Sequence, residues 1–200
     1  MLKKLVLSAG LAVAAISAPA YAAEAAADGV NALHAVLLDN MRNSAKLACA
    51  GRIRQLNPAV DRHFDLDYLS QRALRRQWSA LTAEQRKQFT ELFRELVISS
   101  YASNFSGYDG ETFTTLDTQD LPDGSRLVHT KLTPGSGAPV ALDYVLRQSG
   151  ADWRIVNVVA DGVSDLALRA TQYDKAFKSG GFDAIISLLQ SQIAGNKAHC

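Results

Sequence analysis

The spacing of apolar residues changes near Gly110, and this change constrains the fold of the 200-residue chain most strongly. Before it, the capping box Thr82-Ala83-Glu84-Gln85 starts a helix whose apolar residues recur every three or four positions. After it, apolar and polar residues alternate in four segments: 111–120, 126–133, 139–148 and 152–160. Short turns with proline or glycine join them, which predicts antiparallel hairpins, and helical spacing returns after Ser164. The order predicts an α+β fold, with N-terminal and C-terminal helices on a twisted antiparallel sheet of four or slightly more strands.

Five helices are expected around this sheet. The predicted ranges are 24–57, ended by Pro58, then Leu66–Trp78, a helix from Ala83 that ends before Gly107, Ser164–Lys178, and Asp183–Ile193. Gly180-Gly181 separates the last two helices. This pair and the segment 107–110 are also candidate hinges, although an ordinary helix end is the favoured role for both.

The first 22 residues have the layout of a secretory signal peptide. Lys3 and Lys4 precede the uncharged run Leu5–Ala18, and the triplet Ala20-Tyr21-Ala22 offers a cleavage site. The uncharged run is shorter than the roughly 20 residues that span a bilayer. We therefore expect residues 1–22 to be a signal peptide, residues 23–200 to form a single domain, and the mature protein to act in the periplasm.

Composition excludes several classes of function. The 21 basic and 20 acidic residues nearly balance, so no bulk charge favours nucleic acid as a partner. Two cysteines are too few for a disulfide scaffold or a four-thiolate zinc site. Cys49 and Cys200 could pair in an oxidising compartment. The favoured interpretation is a small buried residue at Cys49 and a free terminal thiol at Cys200.

No pattern in the sequence predicts catalysis. The four histidines are far apart, and neither a metal-binding motif nor a nucleophile elbow is present, so we expect no metal and no cofactor. A pocket enzyme of the nuclear-transport-factor-like type needs a carboxylate and a hydroxyl in one cavity. Asp143 and Tyr144 offer both groups, but neighbours in a strand point to opposite faces. Such an enzyme and a non-catalytic envelope assembly module are the alternatives to the function inferred below.

The apolar face of the helix after Thr82 and the apolar faces of the third and fourth strands are the candidate walls of a pocket. The residues are Phe89, Phe93, Leu96, Val97, Tyr101, Leu142, Tyr144, Leu146, Trp153 and Ile155. Such faces either pack as a solid core or line a cavity for an aliphatic ligand, and the spacing alone does not separate the two.

A resemblance to a known family covers roughly residues 30–194 and is carried by seven segments in unbroken order. They are His63-Phe64-Asp65, Gln71–Leu74, Trp78–Gln85 with Phe89, Phe93 and Tyr101, Pro139–Arg147, Trp153–Val158, Asp161–Ala167 and Gly180–Phe182. Together they resemble the MlaC/toluene-tolerance family of periplasmic lipid-binding proteins. Gly110–Phe113 and Ser164–Arg169 are similar to its hopanoid-associated branch, HpnM. The chain departs from the family pattern at Asn157, where Asp is frequent, and at Arg75 or Arg76, where Gly is frequent.

The resemblance implies a carrier that holds lipid tails between helices and sheet, with the head group exposed at the mouth. Its ligand would be a phospholipid or a hopanoid-type lipid. Its partners would be an inner-membrane transporter complex and an outer-membrane lipoprotein complex. Surface cations are candidate docking residues, although a solvated surface is the favoured interpretation; they are Arg75, Arg76, Lys87 and Arg94.

Overall fold

The structure is a computed structural model that describes residues 18–200, with side chains from Glu24 onward. The helices are α1 (Ala18–Arg42), α2 (Ser44–His63), α3 (Leu66–Leu74), α4 (Gln77–Ala80), α5 (Ala83–Asn104) and α6 (Asp165–Ala198). The strands are β1 (Thr112–Asp120), β2 (Arg126–Thr133), β3 (Val140–Ser149), β4 (Asp152–Ala160) and β5 (Val163–Ser164). The predicted signal peptide lies outside the described side chains, and residues 1–17 lie outside the described residues altogether.

The five strands form one antiparallel meander in the order β1-β2-β3-β4-β5. Tyr144 on β3 lies opposite Val128 on β2 and Val158 on β4, so the three form a row on the face that the helices cover. This arrangement confirms the predicted α+β class. The two-residue strand β5 adds a short edge to the four strands that the alternation predicts.

A β-bulge in β4 changes which residues face the helices. Val145 pairs with Asn157 and Leu146 pairs with Ile155, so Val156 has no partner on β3. Ile155 and Val158 therefore both belong to the core. The strict alternation of a regular strand over 152–160 predicts instead that Ile155 and Val159 share one face and that Val158 lies on the other. This prediction is wrong beyond Val156, because strict alternation does not allow for an inserted residue.

The first predicted helix ends at a different place from the one expected. Pro58 lies inside α2, and the chain breaks instead at Asn43, with a further non-helical residue at Ala48. The Asn43 side-chain amide donates to the backbone carbonyl of Asp39 at 2.9 Å, so this carbonyl at the end of α1 has a hydrogen-bond partner. The core contacts of α2 around Pro58 outweigh the loss of about 3 kcal/mol that a helix-interior proline brings.

The predicted helix 66–78 is divided into α3 and α4. Arg75 ends α3 with φ of 52° and ψ of −127°, and its N–H donates to the Gln71 carbonyl at 3.0 Å. A positive φ is unusual for a residue with a Cβ, and helix propensity gave no signal for a break at an arginine. The break turns the chain before α5, whose capping box at Thr82 and Gln85 is present as predicted.

The C-terminal helix is interrupted at the expected glycines. Gly180 and Gly181 have non-helical backbone angles, and Gly181, with φ of 68° and ψ of −153°, lies in a region that essentially only glycine adopts. The segment of α6 before the break packs on α3, and α5 packs along α6. The helices thus form one layer over the sheet, with the core between the two layers.

Cys49 and Cys200 form a disulfide, with Cα atoms 5.2 Å apart. The favoured prediction of a free terminal thiol is therefore wrong. Sequence separation hid the pairing, because α6 returns the C-terminus to α2 across 151 positions. The bond fixes the end of α6 to the beginning of α2.

Candidate functional site

A cavity of about 180 Å³ lies between the helices and the sheet. Most of its lining side chains are apolar or aromatic, and they come from the loop before α3, from α3, from α5, from β3 and β4, and from the first turn of α6. They are Phe64, Leu69, Phe93, Val97, Ser100, Tyr101, Asn104, Phe105, Leu142, Ile155, Asn157, Val158, Ala160, Asp165, Leu166 and Arg169. The exposed members, Asn104, Ala160 and Asp165, lie at the opening.

The α5 wall follows from the helical period. Phe93, Val97 and Tyr101 are spaced four residues apart and therefore line one face of the helix. The Tyr101 ring stacks on Phe105 with centroids 5.6 Å apart and meets Phe64 edge to face at the same distance. These aromatic contacts make a continuous apolar surface along α5.

The sheet wall depends on the bulge and on a link to the helices. Leu142 near the beginning of β3 pairs with Ala160 at the end of β4, and both residues line the cavity. The Asp65 N–H donates to the Ile155 carbonyl at 3.0 Å, which attaches the loop before α3 to β4. This bond and the parallel bridge of Phe64 to Ile155 hold Phe64 at the cavity.

An ion pair lies beside the opening. The Arg169 Nε donates to an Asp165 carboxylate oxygen at 2.6 Å, and the guanidinium lies 5.8 Å from the centre of the Phe93 ring. Burial lowers the pKa of Arg169, but the charge and hydrogen bond of Asp165 outweigh it, so the net shift is upward. The guanidinium therefore stays charged beside a space whose lining is mostly apolar.

Asn157 fixes the start of α6 at the same opening. The Ser164 hydroxyl donates to Asn157 Oδ1 at 2.9 Å and accepts the N–H of Ala167 at 3.1 Å, which caps the helix. Asn157 is one of the positions where the chain departs from the family pattern. An uncharged amide oxygen accepts this bond as a carboxylate would.

Tyr101 supplies a hydroxyl to the cavity lining. Burial raises the pKa of this hydroxyl, and the nearby Asp165 charge raises it further, although Arg169 opposes the shift. The group therefore stays protonated and neutral at physiological pH. It can donate a hydrogen bond to a ligand but does not act as a base.

Five of the ten predicted pocket residues line the cavity, and five do not. The five that do are Phe93, Val97, Tyr101, Leu142 and Ile155. The other five lie elsewhere in the core: Phe89, Leu96, Tyr144, Leu146 and Trp153. Periodicity identifies a buried face correctly, but it does not say which buried residues contact one another and which border a space.

The residues outside the lining have other contacts. Phe89 packs between Phe93 and the edge of Tyr173, with ring centroids 5.7 and 5.5 Å away. Trp153 stacks under the Arg126 guanidinium at 4.6 Å, at another part of the sheet from the cavity. The Tyr144 hydroxyl is hydrogen-bonded to His34 Nε2 on α1 at 2.9 Å. Burial lowers the pKa of His34 to about 4, so this histidine is neutral.

Sequence reasoning missed most of the polar lining. Ser100 and Asn104 follow from the α5 period, one turn apart on the side next to Tyr101. Leu166 and Arg169 were harder to identify, because they fall in the first turns of a predicted helix whose position relative to the sheet does not follow from the sequence. Val158 was missed because of the bulge.

Asp143 and Tyr144 point to opposite faces, as expected. Tyr144 lies in the core, whereas Asp143 contacts His129 Nδ1 at 3.1 Å on the other side of the sheet. Among the described residues, no group of three or more His, Cys, Asp or Glu side chains could hold a metal ion. The described helices also include none that is long and apolar enough to cross a membrane.

The candidate docking cations have different surroundings. Arg94 makes a two-pronged contact with Asp61, with the Arg94 Nε donating at 2.5 Å, and Lys87 lies 3.9 Å from Glu91 on the same helix. Arg75 and Arg76 line a separate groove between α3 and α6. The four cations therefore do not share one set of contacts.

Comparison with known proteins agrees with the fold. The chain is 29% identical over 132 residues to the toluene tolerance protein ttg2D of Pseudomonas putida, covering 65% of this chain and 59% of that protein. It is 24% identical over 132 residues to the intermembrane phospholipid transport system binding protein MlaC of Haemophilus influenzae, covering 64% and 62%. The matches thus span about three fifths of the length of these relatives.

A solved structure has the same fold. It is the phospholipid-binding protein from Ralstonia solanacearum in complex with a phospholipid, with a TM-score of 0.72 and 23% identity. The match covers 86% of this chain and 98% of that one. The family profile described as MlaC protein matches residues 31–191, which is most of the chain. The chain therefore belongs to the MlaC family.

Proposed function

We propose that this protein is an exported, non-catalytic carrier that binds a lipid in the cavity between α5 and the sheet. It takes the lipid from one membrane complex and delivers it to another across the periplasm. The observation that carries the proposal is the apolar cavity itself, which is walled by Phe93, Val97, Leu142 and Ile155. Two relatives named for phospholipid binding or transport support it.

The chemistry of the cavity suits an acyl chain. Transfer of each CH₂ group from water to an apolar cavity is favourable by about 0.8 kcal/mol, and this gain requires no specific polar contact with the wall. The exposed polar lining residues, Asn104 and Asp165, lie at the opening, where Arg169 and Asp165 neutralise each other at 2.6 Å. A head group can therefore remain in water while the chain is buried.

The cavity volume requires the walls to move. At about 180 Å³ it is below the roughly 300–1,000 Å³ of pockets that enclose a small molecule. Uptake of a lipid chain therefore needs the α6 side of the cavity to separate from the sheet. On that side the Ser164–Asn157 hydrogen bond attaches the start of α6 to the sheet, while farther along the helix Tyr173 packs against Phe89 of α5 and Asp174 accepts from Gln77 at 2.7 Å.

The experiment is native mass spectrometry on protein purified from periplasm without detergent, repeated after incubation with phospholipid vesicles. A bound mass that fragments as a glycerophospholipid supports a phospholipid carrier, and a triterpenoid supports the hopanoid alternative. A bare polypeptide mass in both preparations refutes the carrier. A bound compound that is chemically converted during incubation supports the pocket enzyme, for which Tyr101 and Asp165 would be the candidate pair.

Matched variants show where the lipid binds. Leu142→Arg places a charge in the cavity, and Val97→Trp fills the cavity without adding a charge. The control variant is Leu116→Arg, which makes the same leucine-to-arginine change at a β1 side chain that is 61% exposed. We expect both cavity variants to lose bound lipid and Leu116→Arg to keep it. Circular dichroism identifies a variant that fails to fold, and retained lipid in a folded Val97→Trp protein contradicts the assignment.

A further inference from the structure

The disulfide between Cys49 and Cys200 lies at the surface of the protein. Both cysteines are half-buried, and both line a depression of about 440 Å³ between the start of α2, the loop after α5 and the residues that follow α6. A disulfide is opened by a thiolate that reaches one of its sulfur atoms, so access to the bond governs the rate of exchange. The depression gives a thiolate an approach to this bond.

The surroundings of the bond favour a thiolate as the leaving group. Arg52 lies about one helical turn after Cys49 and lines the same depression. Its Nη1 donates to the Ser106 carbonyl at 2.5 Å, and none of the ion pairs among the described residues involves it. A guanidinium beside a cysteine stabilises the thiolate, which is the form that leaves when the bond opens.

The backbone next to Cys49 is held in an unfavourable conformation. Ala48 has φ of 49° and ψ of 179° and interrupts α2 immediately before the cysteine. A positive φ with an extended ψ is adopted almost only by glycine, whereas alanine has the highest helix propensity of all residues. Such a conformation persists only where the surrounding structure imposes it, and the disulfide is the covalent restraint on the neighbouring residue. Opening the bond therefore allows Ala48 to relax into the helix, which favours the reduced state.

Each side of the disulfide is connected to the cavity lining through one hydrogen bond. On α6, Asn196 donates to the Ser100 hydroxyl at 3.0 Å, and Ser100 lines the cavity. On α2, Arg52 holds the Ser106 carbonyl, and the preceding residue, Phe105, lines the cavity. Both contacts act on the C-terminal part of α5 and on the residues directly after it. The disulfide thus supports one wall of the cavity from two helices.

We propose that this disulfide is a thiol–disulfide exchange site whose redox state sets how long the cavity retains its lipid. Reduction separates the end of α6 from the start of α2. The wall that they support then moves more easily, and the lipid leaves faster. This inference rests on the proposed function.

The co-reactant of the exchange is a dithiol. One of its thiolates attacks a sulfur of the bond and displaces the other cysteine as a thiolate. The second thiol then closes the disulfide of the dithiol itself and releases the remaining cysteine. The dithiol gives up two electrons and two protons, and Cys49 and Cys200 both end as thiols.

The test measures lipid release by the full-length protein in the two redox states. Protein loaded with pyrene-labelled phosphatidylglycerol is mixed with unlabelled phosphatidylcholine vesicles, with and without dithiothreitol, and transfer of the label is followed by fluorescence. Alkylation and mass spectrometry report the fraction of reduced cysteines in each sample. We expect dithiothreitol to raise the release rate of the wild type about tenfold, which is an ordinary size for coupling between two sites. Cys49→Ser/Cys200→Ser should release at the fast rate in both conditions.

Three further variants separate exchange from a general loss of stability. Leu96→Ala weakens the core without touching the disulfide or the cavity lining, and it should release lipid at the slow rate of the oxidised wild type. Ala48→Gly relieves the backbone strain of the disulfide-bonded state, so half reduction should need an about tenfold higher ratio of reduced to oxidised dithiothreitol. Ala50→Gly is its matched control at an exposed residue of α2 and should leave that ratio unchanged.

Equal release rates for the oxidised and the fully reduced wild type overturn the inference and leave the carrier function standing. A bond that stays closed in dithiothreitol while circular dichroism shows a folded protein also overturns it. Fast release from folded Leu96→Ala would assign the effect to stability and would equally overturn it. Failure of the wild type to take up the labelled lipid refutes the carrier function itself.

Discussion

The disulfide between Cys49 and Cys200 makes a large and measurable contribution to stability. The test is Cys49→Ser/Cys200→Ser in the full chain. In the chain-entropy account, a cross-link that closes 100 residues stabilises the native state by about 4.7 kcal/mol. Loop closure costs grow only with the logarithm of length, so the separation of 151 residues raises this to about 5 kcal/mol. Measured disulfides typically give about 2–4 kcal/mol, which sets the expected range.

The expected change in melting temperature follows from chain length. For a domain of 150–250 residues, each 1 kcal/mol shifts Tm by about 2–4 °C, so the variant should melt about 5–15 °C lower. The assay is thermal unfolding followed by circular dichroism, with and without a phosphine reductant. Reductant should lower the Tm of the wild type to that of the variant and leave the variant unchanged. Thiol titration of the denatured, unreduced wild type should find no free thiol.

Two results would refute this reasoning. Two titratable thiols in the unreduced protein would show that the bond does not form. An equal Tm for wild type and variant would show that the end of α6 is held without it. In that case the end of α6 would be held by other contacts, such as the hydrogen bonds that Asn196 donates to the hydroxyls of Ser99 and Ser100 at 3.1 and 3.0 Å.

Four further predictions test other parts of the structure. Burial lowers the pKa of His34 to about 4, so below about pH 6.5 the unfolded state binds a proton at this histidine that the folded state does not. The unfolding free energy should therefore fall by about 3 kcal/mol between pH 6.5 and 4. His34→Gln should remove this fall, as measured by urea titrations. Leu96→Ala should lower the unfolding free energy by about 2–5 kcal/mol in the same assay. Lipid occupancy in mass spectrometry should not change, because Leu96 lies in the core and not in the cavity lining. Loss of lipid from a folded variant would contradict that placement. Gly181→Ala should destabilise the protein by about 1–3 kcal/mol, because φ of 68° with ψ of −153° is a glycine conformation, and no change in Tm would argue against the break. Loading with lipid should change hydrogen exchange in residues 165–179 more than in residues 182–198, and an equal change in both segments would contradict an opening on the side of the cavity at the start of α6.

The elements of this fold are largely encoded in local patterns. The capping box at Thr82 and Gln85, the change of period at Gly110 and the break at Gly181 are each short-range signals, and each appears where the sequence predicts it. The errors occur where tertiary contacts override local preference. Pro58 stays inside α2 because the helix is buried around it, and Arg75 ends α3 although arginine favours helices.

The cavity was harder to predict than the fold. Phe89 and Phe93 lie on the same stripe of α5, yet only Phe93 borders the cavity, because Tyr173 from α6 covers Phe89. That difference depends on where a distant helix packs, which no local pattern records. The bulge at Val156 had a similar effect on β4, since one inserted residue moves Val158 to the cavity side.

The two parts of α6 are held very differently, and this difference indicates how the cavity can open. After Gly181 the helix is fixed by the disulfide, by the Asn196 hydrogen bonds and by the Lys197–Glu95 contact of 2.5 Å. Before Gly180 it carries the residues at the opening and is held by noncovalent contacts, among them the packing of Tyr173 on Phe89, the capping bond to Asn157 and the polar contacts of Asp174. The break separates the segment that lines the cavity from the segment that is anchored. A movement of residues 165–179 about the glycines would therefore displace Leu166 and Arg169 and widen the cavity, while the disulfide keeps the end of α6 in place.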